Sequence, residues 1–239
     1  LAVPKYAVYL VFLTIFLDSI AATISTPALP YYAREFGAND ADIGYLFAIW
    51  SFNATFCAPL LGRISDKVGR RSILALSLAG TGIANIGQAT ASSYWILFAW
   101  RGFSGMWASV SALAQVYMAD VCDQSVLNVY MSWLAAIPGL AMTFGPGIGG
   151  LLSILGLNVP ILVDGVISLV AACVVYVLLP ESPVWESSQT KAKQATNSTL
   201  KQTPVPWGAV VVGLSGLLWG EAFGTRVSMT VVALNAKLG

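Results

Sequence analysis

Residues 62–71 read GRISDKVGRR, with Arg63, Asp66, Lys67, Arg70 and Arg71 supplying five charges in ten positions and Gly62 and Gly69 seven residues apart. Apolar runs of about twenty residues flank the stretch, the length a helix needs to cross a hydrocarbon core. A polar stretch between two such runs reads as a tight turn joining antiparallel membrane spans. Its excess of basic residues favours the cytoplasmic side. The glycines are expected to let the backbone turn closely, with Asp66 as a lone anion among cations that can pair locally.

The rest of the chain has the same character. Of its 239 residues, 57% are hydrophobic and 10% charged, and the mean hydropathy is +0.75. That composition belongs to a membrane protein. Twelve basic against eleven acidic residues provide no clustered basic surface for nucleic acid. Cys57, Cys122 and Cys173 sit in or beside apolar runs, odd in number, and build neither a disulfide framework nor a metal site. They are expected to be buried packing residues. There is no histidine, so a proton handled near neutral pH must ride on a buried carboxyl group.

Apolar runs place spans at about Tyr6–Pro30, Ile43–Leu61, Ile73–Ala91, Tyr94–Val121, Val129–Leu155, Val159–Leu179 and Trp207–Val232. The expected architecture is an all-α polytopic membrane protein: a six-helix bundle over 1–180, a polar linker over 181–206 and a seventh helix over 207–239. Asn39, Asp40 and Asp42 before the second span, and Ser92 and Ser93 before the fourth, are candidate helix caps. Residues 180–206 are rich in Ser, Thr, Lys and Gln with no apolar period, which reads as a mobile linker.

Charge bias sets the expected orientation. With Lys5 cytoplasmic, that side also holds Arg63, Lys67, Arg70, Arg71, Lys191, Lys193 and Lys201, against Arg34 and Lys237 opposite. The N-terminus and residues 181–206 are then cytoplasmic, and the sequon at Asn197 is not glycosylated. The first span has the flanks of a retained helix and not of a removed signal peptide. Trp and Tyr at the span ends anchor it in a bilayer without naming which one.

The opening stretch resembles the signature loop of the major facilitator superfamily, G-x-x-x-D-[RK]-x-G-[RK]-[RK], through Gly62, Asp66, Lys67, Gly69, Arg70 and Arg71. Leu17-Asp18-Ser19 followed by Pro27-Ala28-Leu29-Pro30 is similar to the first helix of drug/proton antiporters, and Arg101-Gly102-Phe103-Ser104-Gly105 to the family's R-x-x-x-G motif. Gly145-Pro146-Gly147-Ile148-Gly149-Gly150 resembles the G-P-x-x-G-G core of the antiporter motif, although Ser132 and Ala141 replace its upstream glycines. The resemblance implies two six-helix halves around a central cavity, with the signature loop as a cytoplasmic latch whose acid is Asp66. It implies a small organic solute or drug-like compound exchanged for protons by alternating access, with no cofactor.

Residues inside the spans carry the chemistry, because an ionised side chain at a helix centre costs roughly 2.5–3.5 kcal/mol and should face the protein interior. Asp18 lies twelve residues from both Tyr6 and Pro30, roughly 18 Å from either end. Arg101, seven residues into its span, is roughly 11 Å deep. A switchable Asp18–Arg101 pair is therefore expected to couple protonation to conformation. Asp164, five residues into its span, is expected to sit in interfacial water with a structural role.

Gly145, Pro146, Gly149 and Gly150 are expected to make a close-packed, bendable fifth helix. Ser104, Ala108 and Ala112 should form a small-residue seam along the fourth. Helix seven is similar to helix one at its ending, which sets Glu221 near the counterpart of Asp18. Candidate cavity residues are Ser25, Asn53, Gln115, Tyr117, Trp219 and Glu221.

Two functional readings follow: a proton-coupled secondary transporter, or a transporter-derived structural subunit of a larger membrane assembly. The partners are the lipid bilayer, a small-molecule substrate and protons. If the chain is this short, a second transporter half, a second copy or neighbouring membrane subunits complete it. No nucleophile with a base, metal cluster or phosphate loop can be assembled, so no metal and no enzyme activity is expected.

Overall fold

The computed structural model describes residues 5–185. The expected seventh helix, with Trp219 and Glu221, and linker residues 186–206 lie outside the described residues. Among the described residues the bundle has eight helices: α1 (Lys5–Ser25), α2 (Ala28–Glu35), α3 (Asp40–Val68), α4 (Arg70–Ala89), α5 (Tyr94–Met106), α6 (Val110–Val121), α7 (Gln124–Ser153) and α8 (Val159–Leu178). Among the described residues, α1, α3, α4, α7 and α8 are each long and apolar enough to cross a membrane. α4 ends at one face and α7 begins at the other, so α5 and α6 together make the sixth crossing.

Breaks in the expected spans have local causes. The first span stops at Ser25 because Pro27 lacks an N–H; its αR backbone then starts α2 as N-cap. α3 begins with a reciprocal cap: Asn39 Oδ1 accepts from the Asp42 amide, and Asp42 Oδ2 accepts from the Asn39 amide, both at 3.0 Å. The fourth span is interrupted at Trp107-Ala108-Ser109, where no proline stands, so packing is the cause. A Cβ on Gly105 would lie 2.5 Å from the Trp50 carbonyl oxygen, and one on Gly80 would run into the Trp107 indole. α5 is thus held on α3 while Trp107 is held on α4. The expected seam is corrected accordingly: Ser104 is buried, but Ala112 belongs to a separate helix and is exposed.

The opening stretch is not a ten-residue loop. α3 continues through Val68 and α4 starts at Arg70, leaving Gly69 alone to reverse the chain at φ 124°. Gly62 lies inside α3 with open space where a Cβ would project, so it makes no close approach here.

α1 runs up the middle of the bundle against α7 and α8, while α4 lies along α8 and α3 along α5. Val11, Ile15, Leu74, Leu78, Tyr117, Met118 and Val175 form the main core towards the end that carries residues 62–71, hereafter the basic end. A second cluster at the opposite end packs Leu29, Tyr32, Leu46, Leu97 and Ile161, and the Tyr32 hydroxyl donates to the Ala89 and Ala91 carbonyls. Of the cysteines, Cys57 and Cys122 are half-buried and Cys173 is exposed, against the expectation that all three pack inside.

α7 is one continuous helix through Pro138 and Pro146. Of its candidate hinge residues, Gly145 and Gly149 sit one turn apart on α1, where a Cβ would strike Thr23 and the Ile24 carbonyl; Gly150 faces open space and Pro146 is exposed. Gly149→Val therefore overpacks the α1–α7 seam. It is expected to lower stability by about 1–3 kcal/mol in detergent melting, whereas Gly150→Ala changes it little.

Candidate functional site

Three polar groupings stand out among the described residues. The first knits the basic end. Arg70 is half-buried and pairs with Asp66 one turn away and, through Nε, with Asp120 on α6 at 3.0 Å. Its Nη1 donates to Ser65 Oγ at 2.7 Å, and Ser182 Oγ donates to the same Asp120 oxygen at 3.1 Å. Glu181 Oε1 accepts from the Arg71 amide at 3.0 Å, placing a carboxylate on the first turn of α4, where free N–H groups and the helix dipole favour an anion. The Tyr117 hydroxyl donates to the Pro180 carbonyl at 2.9 Å. Ser65, Asp66, Gly69, Arg70 and Arg71 of the signature stretch thus lie at the junction of α3, α4, α6 and the end of α8, while Arg63, Lys67 and Val68 are exposed. Glu181→Ala removes the anion from the α4 terminus and is expected to cost about 1 kcal/mol, read as a lower melting midpoint.

The second grouping is Asp18 and its helix face. Ala7, Val11, Thr14, Ile15, Ala21 and Ser25 are buried, and Asp18 falls at the centre of that stripe by helical spacing. Tyr6, Tyr9, Leu13 and Phe16 occupy the opposite, exposed face. Asp18 therefore stands on the packed side of α1, opposite the exposed aromatic face, and is itself half-buried.

The third grouping lies nearer the opposite end, where α1, α4, α5 and α8 meet. Asp164 is 4% exposed; Ser25 Oγ donates to its Oδ2 at 2.6 Å and Ser168 Oγ to its Oδ1 at 3.3 Å. Asn85 sits beside it, its own Oδ1 accepting from Gln88 Nε2 at 2.8 Å. α4 and α8 cross closely enough for this because Gly82 faces Gly165: a Cβ on either would lie 2.9 Å from the other's carbonyl oxygen. Arg101 lines a narrow crevice with Ser25, Asn85 and Gln88. Its guanidinium carbon stands 5.6 Å from the Phe47 ring centre and 5.4 Å from that of Trp50, and its Nε has no hydrogen-bond partner among the described residues.

This arrangement redraws the expected charge pair. Among the described residues, the ion pairs within 4 Å are Arg34–Asp40, Arg70–Asp66 and Arg70–Asp120, so Asp18 and Arg101 do not touch. Asp164 is the carboxylate within electrostatic reach of both. It is buried among donors and does not sit in interfacial water. Sequence reasoning placed it by depth alone; the useful signal was Ser168 one turn on and Gly165 beside it.

The cavity candidates scatter. Ser25 joins Asp164, Asn53 Nδ2 donates to the Gly102 carbonyl at 2.8 Å across α3–α5, and Gln115 is exposed. Tyr117 is corrected: it is fully buried with its hydroxyl committed to Pro180, which makes it a packing residue at the basic end.

A family model described as Major Facilitator Superfamily matches residues 11–236. Tetracycline resistance protein class E of Escherichia coli is 33% identical over 207 residues, covering 85% of this chain and 50% of the relative. Quinolone resistance protein NorA of Staphylococcus aureus is 24% identical over 173 residues, covering 72% of this chain and 45% of the relative. The chain spans about half the length of the curated relatives it matches. Two solved structures share the fold. The human organic anion transporter MFSD10 superposes with TM-score 0.66 at 24% identity, covering 76% of this chain and 49% of its own. A D-xylose-proton symporter superposes with TM-score 0.65 at 17% identity, covering 89% and 57% respectively.

Proposed function

The chain belongs to the major facilitator superfamily, and on that premise we propose that it forms one half of a secondary active transporter that exchanges a small organic or drug-like solute for protons by alternating access. The chain is an integral multi-pass membrane protein, and the family's members are transporters and not enzymes. The observation that carries the proton-coupled reading is Asp18, an acid near mid-span on the packed face of α1. A carboxyl group there is costly to keep ionised and gains nothing for packing, so it serves a process that moves charge. The relatives' names, tetracycline and quinolone resistance, support an amphipathic drug-like substrate and outward export.

The other features take roles within this reading. The basic end faces the cytoplasm, as the eight-to-two distribution of Lys and Arg favours. Asp66 keeps 58% of its side chain exposed while paired with Arg70, so it remains available to a group on the second half, which would make the basic end a latch. The tight Gly145–Gly149 contact lets α7 and α1 move as one body. The cavity lies between this half and a partner, which is the remainder of a longer polypeptide, a second copy or a neighbouring subunit.

The test is uptake into proteoliposomes holding the complete natural polypeptide with an acidic interior. Labelled tetracycline and a labelled fluoroquinolone serve as probes. Uptake of at least one of them is expected several-fold above protein-free vesicles, and a protonophore should remove the difference. A folded protein that moves neither probe beyond the vesicle background would favour a transporter-derived structural subunit instead.

A further inference from the structure

We propose that Asp164 is a second proton-binding site, in series with Asp18 and held beside the cation of Arg101. The inference rests on the proton-coupled reading above and adds to it a carboxyl group on α8 that no motif marks.

The argument is in the donors. A buried carboxylate kept permanently ionised is normally gripped by a guanidinium or ammonium group within contact distance. Asp164 forms no such ion pair among the described residues; it is held by the hydroxyls of Ser25 at 2.6 Å and Ser168 at 3.3 Å, with the Asn85 amide beside it. A hydroxyl donates to a carboxylate and, after rotating, accepts from a carboxylic acid. The shell therefore satisfies both protonation states without moving a helix. Arg101 stands back on the faces of Phe47 and Trp50 with Nε unbonded, near enough to favour the anion and not bound tightly enough to fix it.

The charged and titratable neighbours are few. α1 brings Asp18, α5 brings Arg101, and α2 carries Arg34 and Glu35, both exposed. α4 offers Asn85 and Gln88, which do not titrate, and α7 contains no Asp, Glu, Lys or Arg. Asp18 and Asp164 are within electrostatic reach of one another, so the charge state of one is felt by the other.

Their order along the bundle is set by helix geometry. α1 and α8 are antiparallel; Asp18 lies seven residues, roughly 10 Å, to the basic side of Ser25, while Ser168 lies one turn, roughly 6 Å, to the basic side of Asp164. Ser168 thus stands on the Asp18 side of Asp164. Among the described residues no hydrogen bond joins Asp18 to Ser168, so the two acids exchange a proton through solvent: one O–H bond breaks on Asp18, the proton is carried by water, one O–H bond forms on Asp164, and no electrons are transferred.

Infrared pH-difference spectroscopy on the complete polypeptide in lipid reads protonation without requiring transport. Two carboxylic C=O bands are expected to appear as the sample is acidified. One should vanish in Asp18→Asn and the other in Asp164→Asn. Ser168→Ala keeps the carboxyl and should shift the frequency of the second band only, which covers the case where Asp164→Asn fails to fold. A spectrum in which Asp164→Asn removes nothing, or a second band indifferent to Ser168→Ala, overturns the proposal. Tetracycline and fluoroquinolone uptake on the same preparations separates the two claims: gradient-driven uptake without an Asp164 band sinks this inference alone, and a titrating Asp164 band without uptake sinks only the transport reading.

Discussion

Gly69→Val lowers the melting temperature of the detergent-solubilised protein by roughly 5–10 °C, the fall that about 2–4 kcal/mol produces in a bundle of this size. Two costs add. Gly69 holds φ 124° and ψ 142°, a region a β-branched residue enters only at about 1–3 kcal/mol. A Cβ there would also lie 2.6 Å from Glu181 Oε2, pushing away the carboxylate that accepts from the Arg71 amide. The strain thus falls on the turn and on the α4 terminus together. Gly62, the other glycine of the signature stretch, makes the control: its Cβ position is open and it sits inside α3, so Gly62→Ala should leave stability unchanged or raise it by about 0.5–1 kcal/mol. The same melting curves check both.

The second large effect concerns function. In Asp18→Asn, uptake of a transported probe driven by an acidic vesicle interior falls to the protein-free level, while exchange of labelled for unlabelled probe at equal pH persists. The amide keeps nearly the shape of the acid and cannot release a proton, so coupling is lost and solute exchange is not. Folding should survive, because a neutral amide is cheaper to bury than a carboxylate. Gradient-driven uptake matching the native protein would remove Asp18 from the coupling machinery.

Much of the bundle was readable in advance because lipid imposes a coarse length rule. Of the six apolar runs in the described residues, five correspond to single helices long enough to cross and the fourth to α5 followed by α6, and the cap residues expected before the second span stand at the start of α3. Hydropathy could not locate breaks made by packing. The interruption at Trp107 coincides with the packing of Gly105 on Trp50 and of Trp107 on Gly80, contacts to other helices that hydropathy does not report. The reversal at Gly69 was misjudged for the opposite reason: charged residues suggested a loop, yet a helix leaving the membrane carries charge readily, so α3 extends through Lys67 and Val68.

The site shows the same division. The place of Asp18 on the packed side of α1 follows the expectation for an acid in the middle of a long apolar run, while its role in coupling is proposed. Asp164 was misplaced because depth from the span end, taken alone, ignores what covers a residue. The Gly82–Gly165 crossing lets α4 lie so close to α8 that an acid a few residues from the end becomes fully buried. Arg101 likewise looked like a partner for the nearest mid-span acid, whereas aromatic faces on α3 hold it towards the crevice with Ser25 and Asn85.

Proton movement driven by solute is the most direct check on the central claim that acids inside this bundle couple protons to transport. Proteoliposomes of the complete polypeptide, carrying a pH-sensitive dye inside and no imposed pH gradient, are loaded with tetracycline or the fluoroquinolone, whichever is transported, and diluted into solute-free medium. As solute leaves, the interior should acidify in the native protein and stay unchanged in Asp18→Asn. Solute efflux with no change in internal pH, or with alkalinisation as a symporter would give, would contradict it.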